Sequence, residues 1–226
     1  EGSVATSKRA INGQYTTPTE LAKLLVRLTV KNWSDTILDC CCGTGTIPKE
    51  AIQIKKTQMT AKEAVETVWA CDKNNYPLQV ANISMTEPDT INIANRLFQH
   101  NALTLSIGEK ITITNPETGG NMILALPAFG AVVSNLPFVP FEIIPADDKD
   151  EIVDILDGRS DLYCYIATKI ADVIKPEGTL GIIVSNSWLG TNAGIKLMEA
   201  LKQEYNIKQV HISGQGRWFK NADVVT

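Results

Sequence analysis

The stretch Thr36-Ile37-Leu38-Asp39-Cys40-Cys41-Cys42-Gly43-Thr44-Gly45 decides the fold. Its apolar first half predicts a buried strand, and its two glycines predict a sharp turn that lets the backbone approach a ligand closely. A helix is predicted to follow, from about Pro48 through Ile54. A strand that enters a helix through such a turn is typical of a nucleotide-type site, although an ordinary tight turn explains the two glycines equally well.

Strand and helix patterns alternate along the rest of the chain, which predicts a doubly wound α/β fold with a mainly parallel sheet. Further strands are predicted over residues 65–71, 96–99, 131–134, 179–185 and 207–212, with 179–185 central. Helices are predicted over residues 76–85, 162–174 and 194–205, the second of them ended by Lys175-Pro176-Glu177-Gly178. Residues 139–159 are rich in proline and acidic residues, so they are predicted to form a mobile loop or lid.

The first helix has a predicted start and a predicted buried face. Thr17-Pro18-Thr19-Glu20 predicts a capping box with proline in the first helical position. The i, i+3, i+4, i+7 spacing behind it predicts a core-facing stripe of Leu21, Leu24, Leu25 and Leu28.

Composition limits the possible functions. The 226 residues are 44% hydrophobic and 20% charged, which is typical of one globular domain with a full core. The formal net charge of −4 argues against a surface that grips nucleic acid by itself. Any nucleic-acid partner must therefore be held by a local cleft or by parts outside this chain.

The five cysteines predict buried, reduced thiols and a cytoplasmic protein. Cys40, Cys41 and Cys42 are consecutive on one predicted strand and therefore alternate sides, which suits neither a disulfide nor a zinc site. No Cys-x-x-Cys spacing occurs and neither histidine lies nearby, so no metal site is predicted. No apolar run reaches the roughly 18 residues that a membrane span needs.

Three polar residues at predicted strand ends are candidates for ligand binding. Asp39, four positions before Gly43, suits a ligand that carries an amino-acid ammonium and a ribose, whereas Pro48 disfavours a dinucleotide. Asp72 could accept hydrogen bonds from two ribose hydroxyls or cap a helix. Asn101 could face an adenine ring or simply form a turn.

The tetrapeptide Asn135-Leu136-Pro137-Phe138 follows a buried strand at the carboxyl edge of the predicted sheet. Pro137 restricts Leu136 to extended geometry, so that the Leu136 carbonyl and the Asn135 side-chain oxygen can converge on one amine. Two acceptors would favour the pyramidal amine that can attack a sulfonium methyl, and Phe138 offers a face on which an extruded base can stack. A strand-ending turn with a buried phenylalanine is the alternative.

In this order the motifs resemble the adenine-specific amino-methyltransferases of bacterial restriction-modification systems. Residues 13–18, Gly-Gln-Tyr-Thr-Thr-Pro, are similar to the family's opening segment, and Asp39 to Gly45 resembles its Asp-Pro-x-Cys-Gly-x-Gly loop. Asn135 to Phe138 is similar to its Asn-Pro-Pro-Phe/Tyr tetrapeptide, and Trp218-Phe219 with 223–226 resembles its late strand. The resemblance implies S-adenosylmethionine as cofactor, bound by Tyr15, Thr16, Thr17, Pro18, Asp39, Cys42, Gly43, Gly45, Asp72, Asn101 and Asn135.

It also implies transfer of a methyl group to the exocyclic amine of a flipped adenine in DNA, with Asn135, Leu136, Pro137 and Phe138 as the catalytic residues. The chain departs from the family at Leu136, which replaces a proline, and at Asn101, which replaces the commoner aspartate. Asp72 follows Asp39 by 33 positions, which requires an extended first crossover that residues 53–66 can supply.

The resemblance implies a domain plan and leaves alternatives open. Residues 1–226 are expected to be a catalytic domain from a longer protein, with a cofactor-covering helical segment over 1–34 and the α/β core over 35–226. A DNA-recognition domain or specificity subunit is expected outside this chain. RNA and protein glutamine are alternative substrates for the same fold, and a scaffold subunit weakened by Leu136 is a third possibility.

Overall fold

The computed structural model describes residues 16–156 and 159–213. They belong to two units. The sheet unit comprises residues 16–135 and 172–182, and the helical unit comprises the described residues of 136–171 and 183–213.

The sheet unit is built on a five-stranded sheet with the order β3-β2-β1-β6-β7. The strands β1, β2 and β3 pair in parallel with one another, and β6 pairs in parallel with β1. The strand order therefore reverses between β1 and β6, and this switch point is where such sheets bind ligands. The strands are β1 (Ile37–Asp39), β2 (Val68–Asp72), β3 (Arg96–Gln99), β6 (Phe129–Asn135) and β7 (Ile174–Ile183).

Four helices connect these strands or precede them. They are α1 (Thr19–Thr29), α2 (Thr46–Lys55), α3 (Ala61–Glu66) and α4 (Asn75–Met85). The crossover from β1 to β2 contains both α2 and α3, which accounts for the predicted long spacing between Asp39 and Asp72. Apolar residues of α1, α2 and α4 form one core with the strands, including Val26, Ile52, Ala81 and Val133.

A two-stranded antiparallel hairpin of β4 (Lys110–Thr114) and β5 (Asn121–Ala125) lies between β3 and β6 in sequence. Sequence analysis missed it. The alternation of the buried Ile111 and Ile113 with exposed residues was the available signal, together with the Gly119-Gly120 turn.

The helical unit contains α5 (Ala146–Ile152), α6 (Leu162–Lys169) and α7 (Asn192–Glu204). Short 3₁₀ helices cover Phe141–Ile143 and Asn186–Trp188. Residues 139–159 were predicted to form a loop or lid, but the segment contains α5 and one of these 3₁₀ turns. Its acidic residues at Asp147 and Asp148 lie in the first turn of α5, where they favour the helix.

The α/β fold with a mainly parallel sheet is confirmed, whereas the predicted start of α1 is wrong. Pro18 takes the N-cap position without a side-chain hydrogen bond, because the Thr17 hydroxyl accepts a hydrogen bond from Asn135 instead. The predicted leucine stripe is also wrong, since Ala22, Val26 and Thr29 form the buried face, and Leu24 and Leu28 are 46% and 47% exposed.

Several predicted boundaries are wrong as well. The strand predicted from Val65 begins at Val68, because α3 occupies the preceding residues. The helix predicted over 162–174 ends as a 3₁₀ turn over Ile170–Val173, and residues 175–178 continue β7, with a left-handed Glu177. The strand β7 ends the sheet order of the described residues rather than lying centrally. Residues 207–212 are described and form no strand.

Within the described residues no helix is long and apolar enough to cross a membrane. No group of three histidine, cysteine or acidic residues suited to a metal ion occurs in that same part of the chain.

Candidate active site

Asp39 is a buried carboxylate at the carboxyl end of β1, with only 1% of its surface exposed. Its Oδ1 accepts hydrogen bonds from the Ser134 hydroxyl at 2.6 Å and from the Cys41 backbone N–H at 3.2 Å. Its Oδ2 is buried and has no hydrogen-bond partner among the described residues. The carboxylate therefore has one satisfied oxygen and one oxygen that a ligand cation could satisfy.

Burial raises the pKa of Asp39 from 3.8 to about 7. The hydrogen bonds from Ser134 and Cys41 lower the pKa, and the negative charge of Asp72 raises it. The protein alone thus compensates the ionised form only in part. A cation bound at Oδ2 would supply that compensation and return Asp39 to its ionised form.

The glycine turn is held to β2 by Asp72. The Gly43 backbone N–H donates to Asp72 Oδ2 at 3.1 Å, while Asp72 Oδ1 accepts from the Asn74 N–H at 2.8 Å. Burial raises the pKa of Asp72, opposed by these backbone hydrogen bonds. The N-cap residue of α4 is Asn74, so Asp72 supports the turn before the helix and is not its N-cap. The turn and the second carboxylate are thereby fixed to each other.

Both glycines of the turn adopt left-handed backbone conformations, with φ of 52° at Gly43 and 85° at Gly45. A Cβ built on Gly45 would lie 3.0 Å from the Ala81 Cβ and 3.1 Å from the Ser84 Oγ. A Cβ on Gly43 would meet no atom within 4 Å. Backbone conformation requires glycine at both positions, and close packing against α4 requires it only at Gly45.

This difference gives a prediction for stability. Gly45→Ala is expected to lower the free energy of unfolding by roughly 2 to 4 kcal/mol, because it adds crowding to backbone strain. Gly43→Ala, which adds the strain alone, is expected to cost roughly 1 to 2 kcal/mol. Urea unfolding of both variants measures the difference, and equal losses would contradict the packing role of Gly45.

Asn101 lies two residues beyond β3 and caps the 3₁₀ turn Ala102–Thr104. Its side-chain oxygen accepts from the Leu103 N–H at 3.1 Å. The turn role considered for Asn101 is therefore present in the structure. Its contact with an adenine ring stays a prediction.

Asn135 ends β6, next to β1 in the sheet. Its amide nitrogen donates to the Thr17 hydroxyl at 3.0 Å, and Thr17 is itself buried. This hydrogen bond fixes the orientation of the amide, so that the side-chain oxygen has a defined direction. The sheet unit thus places Asn135 and Asp39 at the carboxyl ends of the two strands that flank the switch point.

The other three residues of the tetrapeptide belong to the helical unit. The Leu136 backbone N–H donates to the Ile183 carbonyl at 3.1 Å, and its side chain is 1% exposed. A proline has no N–H and could not donate this hydrogen bond. At Leu136 the backbone is held by this hydrogen bond and by the buried side chain, instead of by a proline ring. The Phe138 ring is 8% exposed and lies edge-on to Tyr163, so a base can stack on it only after the ring is uncovered.

The cysteines around the turn are all free thiols. The structure places Cys40, Cys41 and Cys42 in the turn after β1 rather than on the strand. The Cys71 thiol donates to the Cys40 carbonyl at 3.4 Å, and burial raises the pKa of Cys42 and Cys71 well above the usual range. They pack as neutral thiols in the wall of the site.

Two residues of the site were missed or misassigned in the sequence. Ser134 was treated only as part of an apolar strand, but it is fully buried and donates to Asp39. A hydroxyl inside an otherwise apolar strand, next to Asn135, was the available signal. Thr17 is not the helix cap that the sequence predicts, since its hydroxyl accepts a hydrogen bond from Asn135. Its contact with the cofactor stays a prediction.

Of the remaining predicted site residues, some lie ahead of α1 and others lie outside the described residues. Thr16 and Pro18 flank Thr17 ahead of α1. Tyr15 and the late segment with Trp218 and residues 223–226 lie outside the described residues.

Comparison with known proteins gives one family match over nearly the whole chain. The model of the family described as N-6 DNA Methylase matches residues 2–224. A type II methyltransferase, M.BanIII from Aneurinibacillus aneurinilyticus, is 28% identical over 93 residues. That match covers 40% of this chain and 16% of M.BanIII.

Solved structures share the fold. A chain from a type I R-M system superposes with a TM-score of 0.61 at 18% identity, covering 88% of this chain and 38% of the other. A chain of the DrdV–DNA complex superposes with a TM-score of 0.62 at 13% identity, covering 88% of this chain and 23% of the other. At these identities the likeness shows the fold. The present chain spans well under half the length of each of these relatives.

Proposed function

The chain belongs to the N-6 DNA methylase family, and we propose that it transfers the methyl group of S-adenosylmethionine to the exocyclic amine of adenine in DNA, as the modification component of a restriction-modification system. Membership of the family confirms the resemblance drawn from the glycine turn and the tetrapeptide. The structure of the sheet unit supports the roles that we propose for Asp39, Asp72 and Asn135.

The observation that carries the proposal is the pairing of two strand ends at the switch point. Asp39 ends β1 and Asn135 ends β6, and the two strands are parallel neighbours. Ser134 joins them through its hydrogen bond to Asp39. A carboxylate suited to a cation and an amide suited to an amine thus lie on the two strands where a ligand is expected.

The residues of the turn fit S-adenosylmethionine. The buried Asp39 Oδ2 can receive the ammonium of its methionine part, and Asp72, at the end of the next strand, can accept from its ribose hydroxyls. Gly43 and Gly45 keep the backbone of the turn open to close approach. We assign Asn101 to the adenine end because it follows the third strand in the same order.

When bound, the cofactor supplies a methyl group on a sulfonium. The chain's own contribution is to orient the amine that accepts it: the Asn135 side-chain oxygen and the Leu136 carbonyl each accept a hydrogen bond from the amine. Thr17 holds the Asn135 amide in place, and the Leu136 N–H bond to Ile183 holds the backbone. Positioning and fixed dipoles supply most of the rate in such a site.

We propose that DNA is held largely by a recognition region outside this chain. The net charge of −4 supplies no general attraction for phosphate. Reading of base edges in the groove also requires a dedicated surface. A flipped adenine would enter the site after that surface has bound the duplex.

Product analysis tests this function. The purified chain is incubated with methyl-labelled S-adenosylmethionine and unmodified DNA, and the nucleosides are identified by mass spectrometry. We expect label on the N6 position of adenine. Parallel reactions with RNA and with a glutamine-containing peptide test the two alternative substrates, and label found in either of them in place of DNA would contradict the proposal.

The same reaction tests the scaffold alternative. A chain that binds the cofactor in the expected site but labels none of the substrates, even at high DNA concentration and low salt, would contradict catalysis by this chain. Asn135→Ala serves as the comparison, because label that this chain produces should form far more slowly in the variant.

A further inference from the structure

Two cationic side chains lie over the ring of Phe141, three residues beyond Phe138 in the sequence. The Lys149 Nζ lies 5.2 Å from the centroid of this ring, and the Arg159 Cζ lies 5.5 Å from it. Both distances are within the roughly 6 Å at which an aromatic ring attracts a cation. We call Phe141, Lys149 and Arg159 the cation cluster, and all three belong to the helical unit.

The backbone places the cation cluster close to the end of the tetrapeptide. The Leu162 N–H donates to the Val139 carbonyl at 2.9 Å, and Val139 directly follows Phe138. The segment that carries Arg159 is therefore tied to the residue next to Phe138. Phe141 begins a 3₁₀ turn two residues beyond Val139. The cluster thus lies near the ring on which we propose that the target base stacks.

Neither cation of the cluster is neutralised by a carboxylate. In the part of the chain that the structure describes, neither Lys149 nor Arg159 forms an ion pair. The residues three and four positions from Lys149, which share its side of α5, carry no charge: Pro145, Ala146, Ile152 and Val153. The acidic residues of this segment lie one and two positions away, where side chains do not face Lys149: Asp147, Asp148, Asp150 and Glu151.

A cation that lies on an aromatic ring can still bind an anion. The ring contacts the face of the guanidinium or one side of the ammonium, and the remaining N–H groups stay available as donors. Arg159 is exposed and Lys149 is half-buried, so both can be reached from solvent. Phosphate suits two such donors because it offers several charged acceptor oxygens. In a chain with a net charge of −4, this pair is a local point of attraction for phosphate.

We propose that the cation cluster binds the DNA phosphate next to the target adenine and so positions the flipped base at Phe138. This inference rests on the proposed function, because it takes the tetrapeptide as the place where the target base enters. Lys149 and Arg159 bind the phosphate, and Phe141 is a positioning residue that orients them. Sequence is still read by the recognition region that we propose outside this chain.

The first measurement is DNA affinity as a function of salt concentration. A short fluorescein-labelled single strand with one adenine is titrated with the chain and followed by anisotropy. Lys149→Gln/Arg159→Gln should bind about tenfold more weakly or worse, because charged hydrogen bonds are lost. The salt slope should become smaller by about 0.7 for each phosphate contact that is lost. Phe141→Leu, which keeps an apolar side chain without the ring, should lose roughly two- to fivefold.

The matched control removes two positive charges elsewhere. Lys62 and Lys202 are both exposed, and the Lys62→Gln/Lys202→Gln variant should keep the affinity and the salt slope of the wild-type chain. The carboxylate of the cofactor is the other anion that the cluster could hold. Calorimetric titration with S-adenosylhomocysteine distinguishes the two anions, and we expect equal affinity in the wild-type chain and in the cluster variant.

A second substrate tests the position of the contact. An uncharged methylphosphonate replaces the phosphate next to the adenine, and methyl transfer is measured at low DNA concentration. The rate should fall about tenfold in the wild-type chain and in the control, but less than about twofold in the cluster variant, which has already lost the contact. A merely structural role of the cluster would leave the effect of the methylphosphonate unchanged in the cluster variant.

The outcomes separate this proposal from the proposed function. Equal DNA affinity and salt slope in the cluster variant and the control would overturn the proposal. It would also be overturned by a methylphosphonate effect that persists in the cluster variant, by a loss of S-adenosylhomocysteine affinity there, or by a wild-type chain that binds no DNA at low salt. DNA binding that depends on the cluster, without label on adenine, would support the phosphate site and contradict the proposed function.

Discussion

Replacing Asn135 with alanine is expected to lower the rate of methyl transfer about a hundred- to a thousandfold, while cofactor affinity changes only slightly. In the proposed mechanism the Asn135 amide oxygen accepts a hydrogen bond from the amine, and removing one such fixed dipole has an effect of this size in comparable sites. Asp39 and Asp72, which would hold the cofactor, stay in place. Single-turnover methyl transfer and calorimetric titration of the same preparation measure the two quantities.

Two further variants make this result specific. Thr17→Val removes the acceptor of the Asn135 amide nitrogen but keeps Asn135 itself, so an intermediate loss of roughly tenfold is expected. Asn95→Ala removes another buried asparagine, whose amide bonds Asn82, and should change stability but not the rate per folded molecule. A normal rate in Asn135→Ala would remove Asn135 from the catalytic residues.

Replacing Asp39 with asparagine is expected to have opposite effects on binding and on stability. Cofactor affinity should fall about a hundredfold or more, because a buried cation loses its partner. The ligand-free chain should instead become more stable near pH 8, because the substitution removes a buried carboxylate that is costly to ionise. A variant that had merely misfolded would lose both properties.

The pH dependence follows from the pKa of Asp39, which burial raises from 3.8 to about 7. Between these values the unfolded chain is ionised at this position and the folded chain is not, so the folded chain binds more protons. Stability therefore falls as the pH rises toward 7, by about 2 to 3 kcal/mol between pH 5 and pH 8. The Asp39→Asn variant should not show this pH-dependent loss of stability.

Urea unfolding at pH 5 and pH 8 measures this loss of stability. The exposed Asp154→Asn variant is the matched control and should keep the wild-type difference between pH 5 and pH 8. Equal pH dependence in the wild type and in Asp39→Asn would contradict the assignment of a raised pKa to this carboxyl group.

The parts of the fold that could be predicted depend on local patterns. Short apolar runs such as Ile37–Leu38 and Ala131–Val133, each followed by a turn within an alternating strand and helix pattern, indicate buried strands of a parallel sheet. Polar residues at the ends of those runs, among them Asp39 and Asn135, then fall on the carboxyl edge because parallel strands end together. These residues form the predicted site for that reason.

The parts that could not be predicted depend on contacts distant in sequence. The hydroxyl of Thr17 could cap α1, but Asn135, far along the chain, uses it. The leucine residues of α1 have the spacing of a buried helix face, yet the buried residues of this helix include the smaller Ala22 and Val26 instead. The sequence of residues 174–178 is compatible with the end of a helix, but these residues belong to β7, which is hydrogen-bonded to its neighbour β6.

At Leu136 the structure compensates for the proline that the family's tetrapeptide carries at this position. With leucine in place of proline, the backbone at residue 136 is expected to be less rigid, since no ring fixes its φ angle. The N–H that leucine adds is bonded to Ile183, and the side chain is buried. The difference therefore gives no structural reason to assign this chain a scaffold role.

The most direct test of the central claim is a crystal structure of the chain with S-adenosylhomocysteine bound. The account predicts the ligand's ammonium within hydrogen-bond distance of Asp39 Oδ2 and its ribose hydroxyls on Asp72. A ligand bound elsewhere, or bound with its ammonium away from Asp39, would contradict the assignment of the glycine turn and, with it, the proposed site of methyl transfer.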